Sequence, residues 1–501
     1  MCFEELLLPL GLECPAELYG VCVSAVATDS RKVKENSIFI CVCGSSDDGH
    51  NYVDEAIRRG ARVIVAENVR NECVGGAALL CVENTRRISS LLYNLFYNDP
   101  ASKMKFIGVT GTNGKTSVSY SILEIMEAAG YKTGLVGTLG DFSCNRRALL
   151  RSGNMTTPDP ESLYSALAEM AEDGAEYAVI EVSSHALSQE RVAPIVFSAA
   201  VFTNLSEEHL DYHSDMEDYY RAKEKLFLQT ESAVINIDDD AGKRLYSFLD
   251  GQELLLKSCS RKEGDFCALG AKSGKNGIEY ILVESGDRCN SQSVRLRLLG
   301  EFQIMNSLEA IAAARLCGVD INTAISALEK MKAPAGRFER VSGEQDDIEV
   351  VIDYAHTPMA LEALLRSARA AAPSHSRLVL LFGCGGDRDK GKRKIMGQIA
   401  SRLADFTVVS SDNPRSERPM DIIRDILKGI DKEKEFAVIE SRRDAILAAI
   451  TQYARKGDMV ILAGKGHENY EITAFGKRPF DERAIVKEAL LLRAMDRQER
   501  M

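Results

Sequence analysis

A glycine-rich run at residues 108–117, with the sequence GVTGTNGKTS, carries the residue types of a phosphate-binding loop. The apolar stretch Met104–Ile107 precedes it, and apolar residues recur at helical spacing after it. Glycines allow backbone N–H groups to close around phosphate oxygens, and a helix N-terminus adds positive potential. Lys115 would reach the terminal phosphates, and the Thr116 hydroxyl would hold Mg²⁺. We therefore predict that the protein binds a nucleoside triphosphate.

A carboxylate and two histidines follow this loop in the chain. Glu181 lies where the strand expected at Tyr177–Val182 ends, a position from which carboxylates in nucleotide-binding folds commonly meet the metal. His209 and His213 are four residues apart and could face one way on a helix, as zinc ligands do. The glutamate of the H-E-x-x-H motif is missing, however, which disfavours a zinc hydrolase.

The run from Thr110 to Thr116 resembles the ATP loop of the Mur ligase family, the ATP-dependent amide ligases that build the peptidoglycan stem peptide. Folylpolyglutamate synthetases share that superfamily. The loop departs from the strict phosphate-loop spacing, since Gly108 lies six residues before Gly114, which argues against ordinary GTPases and kinases. The resemblance implies that ATP is bound by Gly111, Thr112, Asn113, Gly114, Lys115, Thr116 and Ser117, together with Asn306, Arg337 and Asp353.

The same resemblance implies a magnesium site and a catalytic set. Lys223, in the run YRAKEKLF, matches a family helix lysine that is carbamylated, and a carbamate is an anionic oxygen ligand suited to Mg²⁺. Lys225 is close enough to leave that match open. The implied metal ligands are Thr116, Glu181, His209 and carbamylated Lys223, and the implied catalytic residues are Lys115, Lys223, His209 and His356.

Further motifs resemble the family's site for a UDP-muramoyl dipeptide. They are the turns around residues 28–31 and 44–49, the run at 154–157 and the segment after Glu181. Taken singly, the first two are ordinary turn sequences. The usual Asn-Thr-Thr of the third motif is interrupted here by Met155. The residues implied to contact this substrate are Ser30, Ser45, Asn154, Thr156, Thr157, Ser183, Gln189 and Arg191.

Near the C-terminus, three strings resemble the amino-acid site of the family member that adds the third residue of the stem peptide. Arg415 would pair with the far carboxylate of meso-diaminopimelate, which L-lysine lacks. The resemblance therefore implies diaminopimelate addition through an acyl phosphate. The alternatives are an L-lysine-adding ligase, a folylpoly-γ-glutamate ligase and a non-catalytic ATP-binding scaffold. The residues implied for diaminopimelate are Arg388, Asp412, Asn413, Pro414, Arg415, Gly464 and Glu468.

The elements that must position these residues alternate between short apolar strands and helices, which predicts α/β domains. Breaks at residues 98–102 and 331–336 divide the chain into three. We expect an N-terminal α/β UDP-substrate-binding domain at 1–100 and a central ATP-binding domain of the phosphate-loop type at 101–334. A C-terminal Rossmann-like, doubly wound domain at 335–501 would bind the amino acid.

Composition narrows the function classes. The chain has 501 residues, a net charge of −12 and 45% hydrophobic residues, which is typical of a globular protein and disfavours broad nucleic-acid binding. No apolar run approaches the roughly 20 residues needed to span a bilayer. Its 13 cysteines form no C-x-x-C pair, so reduced thiols are expected. We predict a cytoplasmic, monomeric enzyme.

Overall fold

The computed structural model describes residues 1–44, 47–67, 75–150, 155–210, 212–274, 277–285, 291–343 and 345–499. Three large sheets are formed by three successive stretches of this chain. Each stretch alternates strands with helices, so the predicted α/β class is confirmed. No described helix is long and apolar enough to cross a membrane.

The first stretch forms a four-stranded parallel sheet in the order β1-β2-β3-β4. Its fully buried inner strand is Ser37–Ile40, and Phe3 and Leu6 of the first helix are buried in the same core as the phenol ring of Tyr93. Its strands are β1 (Ala25–Ala27), β2 (Ser37–Ile40), β3 (Ala61–Ala66) and β4 (Ala78–Cys81), and its helices are α1 (Phe3–Leu7), α2 (Val53–Arg58) and α3 (Thr85–Phe96).

The second stretch forms a ten-stranded sheet in the order β14-β13-β12-β11-β10-β9-β5-β8-β6-β7. The strands are β5 (Lys105–Thr110), β6 (Thr133–Gly137), β7 (Gly140–Phe142), β8 (Tyr177–Glu181), β9 (Phe197–Phe202), β10 (Ser232–Asn236), β11 (Leu255–Ser260), β12 (Phe266–Gly274), β13 (Gly277–Glu284) and β14 (Ser291–Leu296). The helices are α4 (Lys115–Ala128), α5 (Pro160–Glu172), α6 (Ser184–Ser188), α7 (Met216–Glu224), α8 (Asp240–Leu249), α9 (Phe302–Leu316) and α10 (Ile321–Lys330).

The third stretch forms a six-stranded sheet in the order β15-β16-β20-β17-β18-β19, followed by a separate hairpin of β21 and β22. The strands are β15 (Glu339–Arg340), β16 (Glu349–Asp353), β17 (Leu378–Phe382), β18 (Phe406–Val409), β19 (Phe436–Val438), β20 (Met459–Ala463), β21 (Tyr470–Thr473) and β22 (Gly476–Pro479). The helices are α11 (Pro358–Ala371), α12 (Gly391–Leu403), α13 (Pro419–Leu427), α14 (Arg442–Ala448) and α15 (Glu482–Glu499).

Alternate residues of the third sheet are buried on opposite faces, which explains why its strands read as continuous apolar runs. Leu380 lies in the core shared with α11, α12 and α13, whereas Val379 and Leu381 lie in the core shared with α14 and α15. Apart from the antiparallel edge strand β15, the strands run parallel. The doubly wound arrangement predicted for this part of the chain is confirmed.

Parallel pairing brings the loops that follow several strands to the same edge of each sheet. In the second sheet β5 lies between β8 and β9, so the glycine-rich loop, Glu181 and Thr203 meet there. In the third sheet the corresponding edge collects the ends of β16, β20, β17 and β18.

The apolar runs Gly277–Glu284 and Val294–Leu299 predict a pair of strands, which is present as β13 and β14 in antiparallel pairing. The second of these was expected at Val294–Leu299 but spans Ser291–Leu296. The apolar run Ser37–Cys43 predicts a strand in the first domain. The strand there ends at Ile40, and the carbonyl oxygen of Val42 accepts the N–H of Gly49 at 3.1 Å. Strands β11 and β12 were not foreseen.

Candidate functional site

The glycine-rich loop joins the end of β5 to the start of α4. Gly111 and Gly114 have φ values of 146° and 89°, which glycine adopts without steric cost. A Cβ on Gly111 would come within 1.9 Å of the Thr203 hydroxyl, so the close approach of β9 also requires glycine. The ammonium of Lys115 donates to the carbonyl oxygens of Gly111 and Thr112, both at 2.9 Å. In the predicted phosphate loop, the side chain of Lys115 therefore turns back onto the backbone of the loop itself.

Glu181 is buried at the end of β8, beside the first residues of α4. Its Oε2 accepts from the hydroxyls of Thr116 at 3.0 Å and Thr138 at 2.9 Å. The backbone N–H of Thr138 donates to Oε1 at 2.9 Å. A Cβ on Gly137 would lie 2.3 Å from that oxygen, so glycine keeps room for the carboxylate. Thr116 and Glu181 thus bring two oxygen atoms together, and oxygen is the ligand type that Mg²⁺ prefers.

Lys223 lies under the same loop, with a relative exposure of 1%. Its ammonium donates to the carbonyl oxygen of Gly111 at 2.8 Å and lies 4.6 Å from the ring centroid of Tyr219. Burial, reinforced by the nearby charge of Lys115, moves the pKa of Lys223 well below its ordinary value. A lowered pKa favours the neutral amine, the form that can react with CO₂.

Lys225 occupies a different environment from Lys223. Its side chain is 48% exposed, and its ammonium lies 3.7 Å from the carboxylate of Glu190. Within the described part of the chain, Lys223 donates a hydrogen bond to Gly111 of the glycine-rich loop, whereas Lys225 pairs with Glu190. The structure therefore places Lys223 beneath the loop and Lys225 at the surface.

Histidine and tyrosine rings pack together beside the loop. The ring centroid of His209 lies 5.0 Å from that of His185 and 6.0 Å from that of Tyr219. His209 has a φ of 59°, a strained conformation for a residue without glycine's freedom. His213 is buried, and its Nε2 and Nδ1 lie 2.9 Å from the Ser184 hydroxyl and 3.2 Å from Asp218. His213 therefore ties α6 to α7, the helix that carries Lys223.

Arg337, from the segment before β15, reaches the glycine-rich loop. Its Nη2 donates to the hydroxyl of Thr116 at 3.0 Å, and its guanidinium lies 4.9 Å from the ring centroid of Tyr354. Its Nε is buried without a hydrogen-bond partner among the described residues. A cation from the third stretch of the chain is thus placed at the predicted phosphate site.

The other two residues expected around the nucleotide are held by neighbours. Asn306 Nδ2 donates to Gln303 at 3.0 Å, and a Cβ on Gly114 would lie 2.8 Å from Asn306 Oδ1. Asp353 accepts backbone N–H groups of Phe338 and Ala355, both at 2.7 Å. Asn306 therefore lies against the loop, whereas the Asp353 carboxylate bonds to backbone in this structure.

His356 follows β16, on the same side of the third sheet as Asp353. Its Nδ1 lies 2.9 Å from the carbonyl oxygen of Tyr354, and the two rings are 4.7 Å apart. Burial lowers the pKa of His356, and the ammonium of Lys392 lowers it further. The imidazole is therefore biased toward its neutral form.

Glu208 was not singled out from the sequence, yet its carboxylate faces this group of residues. Burial lowers the pKa of Lys115, of Lys223 and of His356, and in each case the charge of Glu208 opposes that fall. Its Oε2 lies 3.9 Å from His209 Nε2. The sequence signal that could have identified Glu208 is its position next to His209, a predicted metal ligand. Within the described residues, no group of three or more His, Cys, Asp or Glu side chains forms a metal cluster.

Five of the residues expected to contact the muramoyl dipeptide form one hydrogen-bonded group. The hydroxyl of Thr157 donates to the carbonyl oxygen of Glu181 at 2.7 Å and accepts from the Ser183 N–H at 3.0 Å. Arg191 donates to the Thr157 carbonyl oxygen at 2.6 Å and to the Gln189 side chain at 2.6 Å. Thr156 joins the group through Thr138, whose hydroxyl donates to it at 3.2 Å.

Of the remaining three predicted contacts, one is described and lies in the first stretch of the chain. Ser30 is buried in the first stretch, where its hydroxyl donates to Glu55 at 2.9 Å. Ser45 and Asn154 lie outside the described residues. The first and second stretches touch through the ion pair of Lys32 with Glu161 at 2.6 Å.

The residues expected to bind diaminopimelate surround the ends of β18 and β20. Arg415 has a φ of 51°, and its Nη1 donates to the carbonyl oxygen of Gly386 at 2.8 Å. Asn413 Nδ2 donates to Glu468 at 2.7 Å. A Cβ on Gly464 would lie 2.7 Å from Asp412, which requires glycine there.

Two further predicted residues complete this group. Pro414 is buried, and its carbonyl oxygen would lie 1.9 Å from a Cβ placed on Gly386. Arg388 is exposed in the loop that follows β17. Lys465, which lies at the centre of these contacts, was not foreseen.

Comparison with family models covers most of the chain. Residues 23–89 match the model described as Mur ligase family, catalytic domain. Residues 109–314 match the Mur ligase middle domain, and residues 336–466 match the Mur ligase, glutamate ligase domain.

Comparison with individual proteins agrees with the family models. A UDP-N-acetylmuramoyl-L-alanyl-D-glutamate–2,6-diaminopimelate ligase from Clostridium acetobutylicum is 40% identical over 461 residues, which is 92% of this chain and 93% of that protein. A solved structure of a ligase with the same name aligns at 30% identity and a TM-score of 0.69, covering 99% of both chains. A folylpolyglutamate synthase from Mycobacterium tuberculosis, complexed with ADP and AMPPCP, aligns at 20% identity and a TM-score of 0.63. It covers only 75% of this chain and 92% of its own, and it supports the fold alone.

Proposed function

The chain belongs to the Mur ligase family, and we propose that it joins meso-2,6-diaminopimelate to the D-glutamate of UDP-N-acetylmuramoyl-L-alanyl-D-glutamate with consumption of ATP. The observation that carries the proposal is the meeting of Lys115, Thr116, Glu181 and Lys223 around one glycine-rich loop. A second group of side chains, around Arg415, lies at the edge of the third sheet and would receive the amino acid.

The reaction needs ATP because a carboxylate is a poor acyl donor. Transfer of the γ-phosphoryl group to the D-glutamate carboxylate gives an acyl phosphate and ADP. The amine of the amino acid then attacks the acyl carbon, phosphate leaves, and the amine loses a proton. Lys115 would compensate the charge that develops on the transferring phosphoryl group, and Arg337 would add a second cation beside Thr116.

The residues present fit a magnesium site. The Thr116 hydroxyl and the Glu181 carboxylate are neighbouring oxygens, and His209 lies on the adjacent loop. The neutral amine of Lys223 can add CO₂ and release a proton, which turns a cation into an anionic carbamate. When bound, Mg²⁺ supplies charge neutralisation for phosphoryl transfer, held by Thr116, Glu181, His209 and carbamylated Lys223.

The dipeptide substrate would extend from the first stretch of the chain to the loop. Ser30 and Ser45 would contact the UDP end, and Asn154 and Thr156 would contact the lactyl-peptide part. Thr157, Ser183, Gln189 and Arg191 already form one hydrogen-bonded group next to Glu181. That group would hold the D-glutamate near the phosphates.

Selection of diaminopimelate would rest on Arg415. The guanidinium can pair with the carboxylate at the far end of diaminopimelate, while Asp412, Asn413 and Glu468 supply acceptors for its ammonium. L-lysine would leave Arg415 desolvated and without that partner. Arg388, Pro414 and Gly464 would shape the same pocket.

We assign the UDP substrate to residues 1–100, ATP to 101–334 and the amino acid to 335–501, since these limits fall between the three sheets. The enzyme would act in the cytoplasm as a monomer. A folylpoly-γ-glutamate ligase is disfavoured because residues 23–89, the part of the chain to which we assign the nucleotide-sugar substrate, match a Mur ligase family model. A non-catalytic scaffold is disfavoured because Lys115, Glu181 and Lys223 are all present.

Phosphate release tests the proposal. Purified enzyme with ATP, Mg²⁺, the UDP-muramoyl dipeptide and meso-diaminopimelate should release phosphate at a steady rate. Omitting either the dipeptide or the amino acid should stop sustained release. Continued release without the dipeptide would indicate an ATPase, and no release with all substrates would indicate a binding protein.

A further inference from the structure

Lys465, at the end of β20, has a relative exposure of 0%. Its ammonium donates to Asn413 Oδ1 and to the carbonyl oxygen of Tyr470, both at 3.0 Å. It also lies 3.3 Å from Asp412 Oδ1 and 3.9 Å from Glu468 Oε2. A lysine is almost never buried without such partners. These contacts make Lys465 the centre of a polar group inside the third stretch.

The contacts of Lys465 join two separate segments of the chain. Asp412 and Asn413 follow β18, whereas Glu468 and Tyr470 follow β20. Asn413 completes the connection, since its Oδ1 also accepts the Ile472 N–H at 2.9 Å and its Nδ2 donates to Glu468. The orientation of Asn413 is therefore set by Lys465 and by strand β21.

The connection extends to the residue proposed to select the substrate. The N–H of Arg415 donates to the carbonyl oxygen of Ile472 at 3.1 Å. Ile472 is the same residue whose N–H donates to Asn413. A shift of the Asn413 segment away from β21 would thus move the backbone of Arg415, which is already in the left-handed region.

Lys465 also sets the charge of the pocket. Burial alone would raise the pKa of Asp412, yet the ammonium of Lys465 and the guanidinium of Arg442 hold it below its usual range. Arg442 is itself paired with the buried carboxylate of Glu482 at 2.6 Å. Burial raises the pKa of Glu468, and the hydrogen bond from Asn413 and the charge of Lys465 oppose that rise. Lys465 therefore favours the carboxylate form of both Asp412 and Glu468, which suits the ammonium of an incoming amino acid.

We propose that Lys465 is a positioning residue for the amine substrate: it holds Asp412, Asn413 and Glu468 in the arrangement that receives the far ammonium and carboxylate of a diamino dicarboxylic acid. The inference rests on the proposed function of the pocket. Lys465 itself lies behind Asn413 and Glu468 and would touch no substrate atom.

The test replaces Lys465 by methionine, which keeps the length of the side chain and removes its charge. Steady-state phosphate release should show KM for meso-diaminopimelate raised about 10- to 100-fold, the usual cost of losing a group that orients a contact residue. KM for ATP and for the dipeptide should stay within about threefold, because the hydrogen bonds and ion pairs of Lys465 among the described residues all lie within the third stretch of the chain. Lys456→Met, exposed at the opposite end of β20, should behave as wild type.

A second variant guards against loss of folding. Lys465→Gln keeps a neutral hydrogen-bond donor among Asn413 and the Tyr470 carbonyl oxygen and leaves the proposed substrate contacts Asp412, Asn413 and Glu468 unchanged. It should fold by circular dichroism and still show the raised KM for diaminopimelate alone. If both variants unfold, or if affinity for all three substrates falls together, Lys465 serves stability only and the proposal is wrong. An unchanged KM for diaminopimelate in a folded variant would also overturn it.

The two proposals fail in different ways. Wild-type enzyme that releases no phosphate with the dipeptide and any amino acid refutes the proposed function and, with it, the role of Lys465. Wild-type activity with diaminopimelate, combined with a normal KM in Lys465→Met, refutes only the positioning role.

Discussion

Arg337 donates a hydrogen bond of 3.0 Å to the hydroxyl of Thr116, and this single contact joins the segment before β15 to the start of α4. Thr116 also donates to Glu181, so its hydroxyl lies between a cation and a carboxylate. The contact places the guanidinium of Arg337, from the third stretch of the chain, at the predicted phosphate site. Phosphoryl transfer should therefore depend on a residue far along the chain from the loop.

Replacing Arg337 by alanine should lower kcat/KM for ATP about 100-fold, because it removes a cation from the transferring phosphoryl group. Initial rates of phosphate release at varied ATP concentration would measure kcat/KM. Arg366→Ala, which removes an exposed arginine paired on the surface of α11, is the matched control. Equal kcat/KM for the two variants would show that Arg337 takes no part.

Replacing Lys223 by alanine should abolish phosphate release, since the variant has no amine to form the carbamate. Lys225→Ala should change the rate little, because that side chain is 48% exposed. Incubation with ¹³C-labelled bicarbonate should give a carbamate ¹³C signal in the wild type and in Lys225→Ala. A ¹³C signal that persists in Lys223→Ala, or wild-type turnover in that variant, would contradict the assignment of the carbamate to Lys223.

Replacing Glu309 by glutamine should stabilise the fold at neutral pH. Glu309 is fully buried in α9, neither carboxyl oxygen has a hydrogen-bond partner among the described residues, and burial raises its pKa well above the usual range. The unfolded chain loses this proton above about pH 4.3, whereas the folded chain keeps it. Stability therefore falls as pH rises from the unfolded pKa toward the folded one.

The Glu309→Gln variant lacks this proton equilibrium. Its Tm should exceed that of the wild type by several °C at pH 8, on the order of the shift that 1–2 kcal/mol produces in a large domain. The difference should shrink toward pH 4. The exposed Glu253→Gln serves as the control. A Tm difference that does not depend on pH would contradict a buried, protonated Glu309.

The sequence predicted the local parts of the site and missed the parts that depend on packing. The glycine-rich loop was recognisable because its glycines, Lys115 and Thr116 are contiguous. Lys223 was assigned from the family resemblance with Lys225 left as an alternative, because burial of one and exposure of the other depend on how α7 packs against the loop. Lys465 and Glu208 were missed for the same reason, since most charged residues are exposed.

The fold class was predictable because alternating strands and helices leave a strong apolar pattern. The strands of the third sheet, such as Leu378–Phe382, are continuous apolar runs buried on both faces. Strand β11 was missed because its second half, Lys257–Ser260, is largely polar. The sheet order that puts β5 between β8 and β9 depends on contacts between distant segments, which single-sequence patterns do not report.

Arg415→Ala should lose the discrimination between diamino acids, because the far carboxylate of diaminopimelate would no longer meet a guanidinium. Its kcat/KM for meso-diaminopimelate should fall, while that for L-lysine should stay the same or rise. Arg418→Ala, an exposed arginine in the same segment, should keep the wild-type preference. Unchanged selectivity in Arg415→Ala would show that Arg415 does not select the amino acid.

The most direct test of the proposed activity is a competition between the two amino acids in the wild-type enzyme. ATP, Mg²⁺ and the UDP-muramoyl dipeptide would be supplied with equal concentrations of meso-diaminopimelate and L-lysine, and the product would be identified by mass. The account predicts the diaminopimelate product, with kcat/KM favouring it by about 10⁴, because lysine leaves Arg415 without a partner. Comparable amounts of both products, or the lysine product alone, would contradict it.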